Sequence, residues 1–229
     1  MTSTQAPIFI AAPARRSGTT LLQRLCIGSG EAMVFGESAA NDLVQAGMVF
    51  TYKQQFISYS SKARDAQIAG VRAGKVNQWI PDILPETEDY LSIHSGLLDQ
   101  LCAGFAAAAK CDRWGVKLPE WPVRNLAFWQ SRYPESRTIY ILREIEECVS
   151  SAFKMGMLTE ESHKDEFRQI YQQHLTMAKR DLSAEQTYFL DYALLTSPSA
   201  AEELEKVAAF LGLSGLPASV LAVRVGDYS

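Results

Sequence analysis

The sequence lacks the features of a membrane protein, a secreted protein and a general nucleic-acid-binding protein. No apolar run reaches the roughly 18 residues that a membrane-spanning helix needs. Residues 1–5 have neither a basic segment nor a long apolar one, so we expect no secretory signal. The net charge of −4 argues against a broad surface for nucleic acid or anionic membrane. A polyanionic ligand would therefore need a local cluster of cations.

Cysteine is also scarce, and its spacing matches no common metal or disulfide motif. The chain of 229 residues has four cysteines, none of them in C-x-x-C spacing. We therefore predict no metal site, and we expect reduced, mostly buried thiols in a cytoplasmic protein. The content of 47% apolar and 21% charged residues is typical of a soluble globular protein.

Short apolar segments alternate with segments of helical periodicity along the chain. Five segments have the length and composition of strands: 8–12, 32–35, 113–117, 138–142 and 187–191. Helical patterns cover residues 41–69, 92–109, 123–133, 144–155, 160–182 and 200–211, and residues 70–88 are expected to form a loop. The alternation predicts an α/β fold, with residues 1–229 as a single domain and about five parallel strands covered by helices on both faces. Ligands of such sheets bind at the carboxyl ends of the strands, so residues that follow predicted strands are site candidates.

Residues 7–26 follow the order strand, small-residue loop and helix start, which is typical of an anion-binding loop. Aligned at Gly18 with the Walker pattern G-x-x-x-x-G-K-[ST], the chain has Pro13 at the first glycine, Thr19 at the lysine and Thr20 at the final position. The lysine that contacts a nucleoside triphosphate is therefore missing, although Arg16 supplies a cation earlier in the loop. This weighs against a P-loop nucleotide kinase, which stays as an alternative.

The segment Arg-Ser-Gly-Thr-Thr-Leu-Leu at residues 16–22 resembles the 5′-phosphosulfate-binding loop of sulfotransferases that use 3′-phosphoadenosine 5′-phosphosulfate (PAPS). With arginine as its cation at position 16, the loop is more similar to that of the tyrosylprotein and bacterial members than to that of the cytosolic ones. The resemblance implies the P-loop-like sulfotransferase fold, PAPS as the donor and no metal. It also implies a set of donor-binding residues: Arg15, Arg16, Ser17, Gly18, Thr19 and Thr20. The family usually has proline directly before the cation, where this chain has Arg15, so the loop has either an inserted residue or a replacement.

Arg143 and Ser151 resemble the family's 3′-phosphate-binding segment. Arg143 directly follows the fourth predicted strand, and Ser151 lies two helical turns further on. A guanidinium suits this role because its planar fork makes bidentate, charge-assisted hydrogen bonds to phosphate. Two alternatives stay open, namely a structural ion pair of Arg143 with Glu146 or Glu147, and Ser150 in place of Ser151.

Glu37 and Lys117 complete the catalytic candidates together with Arg16. Glu37, in Phe-Gly-Glu, resembles the general base in the Cys-Gly-Glu-Glu segment of tyrosylprotein sulfotransferases, although Ser38 replaces the second glutamate. Lys117, in Gly-Val-Lys-Leu-Pro, is similar to the family's strand-end lysine, which implies a second cation beside the sulfonate. The alternatives are a helix-terminal carboxylate for Glu37 and a lysine that reaches solvent. His94 is the rival base, because cytosolic sulfotransferases use a histidine.

The segments together resemble a PAPS-dependent sulfotransferase, which transfers a sulfuryl group to a hydroxyl or amine of a small-molecule or peptide acceptor. A catalytically inactive nucleotide-binding module is the remaining alternative. Residues 44–111 match no family segment, and we expect a variable acceptor-binding insertion there, with Tyr59, Trp79 and Tyr90 suited to an apolar or aromatic acceptor. Residues 224–228 faintly resemble the family's glycine-rich cofactor loop. No nucleic-acid or membrane partner is expected, and nothing in the sequence sets the oligomeric state.

Overall fold

A computed structural model describes residues 5–56, 61–76 and 87–222 of the chain. Its strands are β1 (Gln5–Ala12), β2 (Ala32–Phe35), β3 (Arg113–Pro119), β4 (Arg137–Leu142) and β5 (Thr187–Asp191). All are parallel, and they form one sheet in the order β2-β3-β1-β4-β5. The five-stranded parallel sheet predicted from the sequence is confirmed, and each observed strand contains the predicted one.

The helices account for most of the remaining described residues. They are α1 (Thr19–Gly28), α2 (Glu37–Phe56), α3 (Ser61–Arg72), α4 (Thr87–Ala108), α5 (Val123–Arg132), α6 (Ile145–Lys154), α7 (Glu161–Asp181), α8 (Tyr192–Leu195) and α9 (Ala200–Leu211), followed by a 3₁₀ helix (Ala218–Ala222). Among the described helices, none is long and apolar enough to cross a membrane.

Two helix predictions were wrong in their boundaries. The helical pattern of residues 41–69 corresponds to two helices, α2 and α3, rather than one segment. Helix α4 begins at Thr87, five residues before the predicted start, and its first turn carries Glu88 and Asp89. Those carboxylates stabilise a helix N-terminus through the helix dipole. Tyr59, Trp79 and residues 224–228, for which the sequence suggested roles, lie outside the described residues.

Helices pack on both faces of the sheet, as predicted. On one face Ile8 and Ile10 of β1 share a buried cluster with Leu22 of α1 and Val207 of α9. On the other face Phe9 makes edge-to-face contacts with aromatic side chains: Trp114, Trp121 and Tyr133. Successive side chains of a strand point to opposite faces, so one apolar run serves both layers.

The chain divides into two compact units. One unit comprises Met1–Val44 and Cys102–Ser229, which include the whole sheet, and the other comprises Gln45–Leu101. In the first unit, parallel strands end at one edge, where Ala12 is paired with Pro119 and Leu142 with Asp191. This edge carries the loops that hold the candidate site residues.

Candidate active site

The loop between β1 and α1 presents unpaired backbone donors at a helix N-terminus. Gly18 is the N-cap residue of α1 with a φ of 106°, and Arg16 has a φ of 71°. Within the described part of the chain, the N–H groups of Gly18, Thr19 and Thr20 make no hydrogen bond. Free N–H groups at the positive end of a helix suit a phosphate or sulfate group.

Ser17 stabilises this loop from within. Its side chain is completely buried, and its hydroxyl donates to the carbonyl oxygen of Ala14 at 2.8 Å and contacts Cys148 Sγ at 3.6 Å. Burial raises the pKa of the Cys148 thiol, which keeps it neutral beside the loop. The Ser17 hydroxyl therefore stabilises the conformation of the loop.

Arg16, Arg143 and Ser151 are brought together, although they come from distant parts of the sequence. Arg16 Nε donates to Ser151 Oγ at 3.0 Å, and Arg143 Nη1 donates to the carbonyl oxygen of Arg16 at 3.1 Å. Tyr171 of α7 donates its hydroxyl to the carbonyl oxygen of Arg143 at 2.6 Å, which fixes the chain at the end of β4. Ser150, the alternative serine, is exposed.

The ion pair considered as an alternative for Arg143 is also present. Arg143 Nε lies 2.9 Å from Glu147 Oε2, while Glu146 is paired with Arg168 at 2.7 Å. The Glu147 carboxylate is more than half exposed, so it is a displaceable partner of the guanidinium. An incoming anion would compete with Glu147 for Arg143.

Tyr192 belongs to the candidate site, although no role was predicted for it there from the sequence. The Arg143 guanidinium lies 4.6 Å from the centre of the Tyr192 ring, in the arrangement of a cation–π contact. The same ring packs on Gly18 so closely that a Cβ there would lie 2.6 Å from Tyr192 Cδ2. Tyr192 directly follows β5, and its position after a strand was the available signal.

Glu37 and Lys117 form an ion pair. Lys117 Nζ lies 2.8 Å from Glu37 Oε1, and the exposed fractions are 7% for the lysine side chain and 54% for the glutamate. The lysine therefore approaches the carboxylate from the protein side. Glu37 is the first residue of α2, and its Oε2 has no hydrogen-bond partner among the described residues.

Arg15 points to a partner that the sequence reasoning did not identify. Its backbone N–H and guanidinium donate four hydrogen bonds to the carboxylate of Glu120, at 2.7 to 3.3 Å. This hydrogen bonding raises the pKa of the Arg15 guanidinium above its usual value. Glu120 has a φ of 58°, and its N–H donates to the carbonyl oxygen of Ala12 at 3.0 Å.

Glu37, Arg15 and Glu120 open onto one cleft of about 410 Å³ in the first unit. Its described lining is completed by Asn41, Val44, Leu118, Pro119, Pro122 and Met157. A volume of this order suits a small organic molecule.

The histidines make ordinary contacts. His94 of α4 lies 3.0 Å from the carbonyl oxygen of Tyr90 through Nδ1, and its ring is 4.0 Å from the Tyr90 ring. His174 Nδ1 lies 3.0 Å from the carbonyl oxygen of Pro13, and His163 Nδ1 lies 3.4 Å from Thr159 Oγ1. In the described residues, no group of three or more histidine, cysteine or carboxylate side chains has the arrangement of a metal site.

Comparison with solved structures shows the same fold in bacterial sulfotransferase domains. The sulfotransferase domain of the Synechococcus PCC 7002 olefin synthase matches with a TM-score of 0.55 at 15% identity, covering 99% of this chain and 78% of that one. The sulfotransferase domain of the curacin biosynthetic pathway matches with a TM-score of 0.57 at 17% identity, covering 97% and 79%. No curated protein gives a significant match to the sequence.

A family model gives the assignment that fold similarity alone cannot. The model described as "Sulfotransferase family" matches residues 7–217, which is most of the chain and includes both the loop at Arg16 and the segment at Arg143. The chain belongs to the sulfotransferase family.

Proposed function

We propose that this protein transfers a sulfuryl group from PAPS to a hydroxyl or amine of an acceptor and releases adenosine 3′,5′-bisphosphate. The observation that carries the proposal is the link Arg143–Arg16–Ser151. It joins the anion-binding loop after β1 to the strand-end arginine and the helix serine after β4. Two phosphate-binding elements in direct contact fit a donor that carries phosphate at both the 5′ and the 3′ position.

The residues present fit such a donor. The N–H groups of Gly18, Thr19 and Thr20, together with Arg16, would hold the 5′-phosphosulfate. Arg143 and Ser151 would hold the 3′-phosphate, with Tyr192 positioning the guanidinium. Ser17 contributes by stabilising the loop through its hydrogen bond to Ala14. The Arg15 side chain is hydrogen-bonded to Glu120 and does not point toward the free N–H groups of the loop.

When bound, PAPS supplies the sulfuryl group that passes in line to the acceptor. Glu37 takes the proton of the acceptor hydroxyl or amine, and its Oε2, which has no hydrogen-bond partner in the described part of the chain, is available for this step. Lys117 holds the other carboxylate oxygen and orients the base. Arg16, together with Lys117, would neutralise negative charge that builds on the transferred group, and preorganised groups of this kind are commonly worth about 3–4 kcal/mol each.

We further propose that residues 44–111 of the single domain, residues 1–229, are an acceptor-specific insertion. The compact unit Gln45–Leu101 lies inside this segment, which supports the proposal. Exchange of this segment with that of another family member should change acceptor preference and leave bisphosphate binding unchanged. Unchanged acceptor preference after the exchange would contradict it.

Two alternatives predict different behaviour. A P-loop kinase would bind ATP with magnesium through a lysine at position 19, where this chain has threonine. An inactive binding module would bind the bisphosphate without turnover, which Glu37 on an open cleft beside the loop argues against.

The experiment that tests the proposed activity is transfer of ³⁵S from labelled PAPS to a panel of alcohols, phenols and amines. Wild-type protein should give a labelled product with at least one class. Glu37→Gln should lower the rate about 10²–10⁴-fold, because it removes the general base, and should keep bisphosphate affinity within a factor of about three. Bisphosphate binding without any transfer would indicate the inactive module.

A further inference from the structure

We infer that the cleft beside Glu37 selects uncharged acceptors with an apolar body, and that Glu120 excludes anionic acceptors by neutralising Arg15. The inference rests on the proposed function, because it takes this cleft as the acceptor's site.

Five of the nine described residues that line the cleft are apolar: Val44, Leu118, Pro119, Pro122 and Met157. These side chains offer no hydrogen bond, so they favour an acceptor that buries hydrocarbon there. A volume of about 410 Å³ is enough for a one- or two-ring molecule or a medium alkyl chain.

The turn after α6 places Met157 among the residues that line the cleft. Gly156 has a φ of 68°, its N–H donates to the carbonyl oxygen of Phe153 at 2.9 Å, and the N–H of Met157 donates to that of Ala152 at 3.0 Å. This pair of hydrogen bonds is a Schellman helix end. At the end of the same helix, the side chains of Phe153 and Met155 are also about half exposed.

Each cation at the cleft is already paired with a carboxylate. Arg15 donates four hydrogen bonds to Glu120, and Lys117 donates to Glu37. Among the described lining residues, no cation is left to bind an acceptor's carboxylate, sulfate or phosphate. An anionic group entering the cleft would therefore lose hydration without gaining a charged partner, which is unfavourable.

The Arg15–Glu120 pair is fixed by the backbone. Glu120 has a left-handed φ, which is unfavourable for a non-glycine residue, and its N–H is bonded to the end of β1 at Ala12. The backbone N–H of Arg15 also donates to the Glu120 carboxylate. These backbone contacts hold the Glu120 carboxylate beside Arg15, and the guanidinium, whose side chain is 52% exposed, reaches it through three further hydrogen bonds.

The test compares two probes that differ by one carboxylate, 2-naphthol and 6-hydroxy-2-naphthoate. Binding is followed at the ¹³C-methyl signal of Met157 in protein labelled at its six methionines, assigned with Met157→Leu. This signal reports occupancy of the cleft without turnover. Wild-type protein should bind the naphthol at least tenfold more tightly than the naphthoate.

Substitution of Glu120 should reverse that selection. Glu120→Gln releases the Arg15 guanidinium, so naphthoate affinity should rise at least fivefold relative to naphthol. The double variant Arg15→Gln/Glu120→Gln should lose this gain, because the released cation is then absent. Glu205→Gln, which removes an exposed carboxylate of α9, should leave the ratio unchanged.

Adenosine 3′,5′-bisphosphate titrated into the same samples separates the two proposals. Equal affinity of the two probes in wild type, an unchanged ratio in Glu120→Gln, or no saturable shift of the Met157 signal with either probe would overturn the inference. Naphthol selection without bisphosphate binding would overturn the proposed function and leave the selectivity of the cleft standing. If Glu120→Gln does not fold, the wild-type ratio and the Arg15→Gln variant, which should not gain affinity for the naphthoate, decide the question.

Discussion

Arg143 donates a hydrogen bond through Nη1 to the carbonyl oxygen of Arg16, across 3.1 Å. The two residues are separated by 127 positions in the sequence, and each follows a strand of the sheet. Because β1 and β4 are neighbours and parallel, their carboxyl ends bring the two arginines to one edge. The loop after β1 and the strand-end arginine are therefore hydrogen-bonded to each other, and a substitution at one should alter the position of the other.

Glu147 should act as an internal competitor of the donor's 3′-phosphate. Glu147→Gln removes the carboxylate 2.9 Å from Arg143 and should raise affinity for adenosine 3′,5′-bisphosphate about two- to fivefold, the range expected from an exposed ion pair. Glu146→Gln is the matched control, since Glu146 lies in the same helical turn and pairs with Arg168. Calorimetric titration checks both, and equal effects of the two variants would contradict a specific role of Glu147.

Gly18 is required both for its backbone conformation and for its contact with Tyr192. Gly18→Ala should lower the free energy of unfolding by about 2–4 kcal/mol, from left-handed strain and overpacking, and weaken bisphosphate binding at least tenfold. Gly30 has a φ of 75° with open space around its Cβ position, so Gly30→Ala should cost only about 1–2 kcal/mol and leave binding unchanged. Urea denaturation and calorimetry separate strain from contact. Equal costs in the two variants would argue against the Tyr192 contact.

Two buried tyrosine hydroxyls should respond oppositely to removal. The Tyr140 hydroxyl is buried and has no hydrogen-bond partner among the residues that the structure describes, whereas the Tyr171 hydroxyl donates to the carbonyl oxygen of Arg143. Tyr140→Phe should therefore leave stability unchanged or raise it by about 1 kcal/mol, and Tyr171→Phe should lower it by about 1 kcal/mol. Burial raises the pKa of Tyr171 to about 12, so both hydroxyls stay protonated at neutral pH. Denaturant titrations at pH 7 measure the difference, and a clear loss in Tyr140→Phe would contradict it.

Lys117 should support turnover more than donor binding. Lys117→Met keeps the volume of a nearly buried side chain and removes the cation that holds Glu37 Oε1, so the transfer rate should fall at least about 10²-fold. Bisphosphate affinity should change less than threefold. Lys179→Met, an exposed position of α7, should leave both quantities unchanged. If bisphosphate affinity fell as much as the transfer rate, the result would indicate that Lys117 binds the donor and does not act in catalysis.

The sheet and the loop between β1 and α1 could be predicted because their signals are local. Each strand is a short apolar run, and the loop at Arg16 and the strand-end Arg143 are recognisable in a few consecutive residues. The pairing of Arg15 with Glu120 could not be predicted in this way, because it joins residues 105 positions apart through a left-handed turn. The start of α4 at Thr87 was missed because the N-terminus of this helix is marked by an acidic first turn and not by apolar periodicity.

Acceptor selection was the least predictable part of the candidate site. Val44, Leu118 and Met157 meet only in the folded chain, and Met157 reaches the cleft through a helix-terminal turn rather than along a helix face. No periodic pattern of apolar residues in the sequence predicts that these side chains line one cleft. The charge pairing at Glu37 and Glu120 likewise follows from strand order, which sets β3 beside β1 and β2.

Calorimetric binding of adenosine 3′,5′-bisphosphate, beside ATP with magnesium, to wild type, Arg143→Ala and the exposed control Arg124→Ala distinguishes a PAPS-type donor site from a nucleoside-triphosphate site. We expect micromolar binding of the bisphosphate alone, unchanged in Arg124→Ala and weakened at least tenfold in Arg143→Ala, because that variant removes the cation proposed to bind the 3′-phosphate. Binding of ATP with magnesium instead, binding of neither nucleotide, or equal affinity in Arg143→Ala would contradict this expectation.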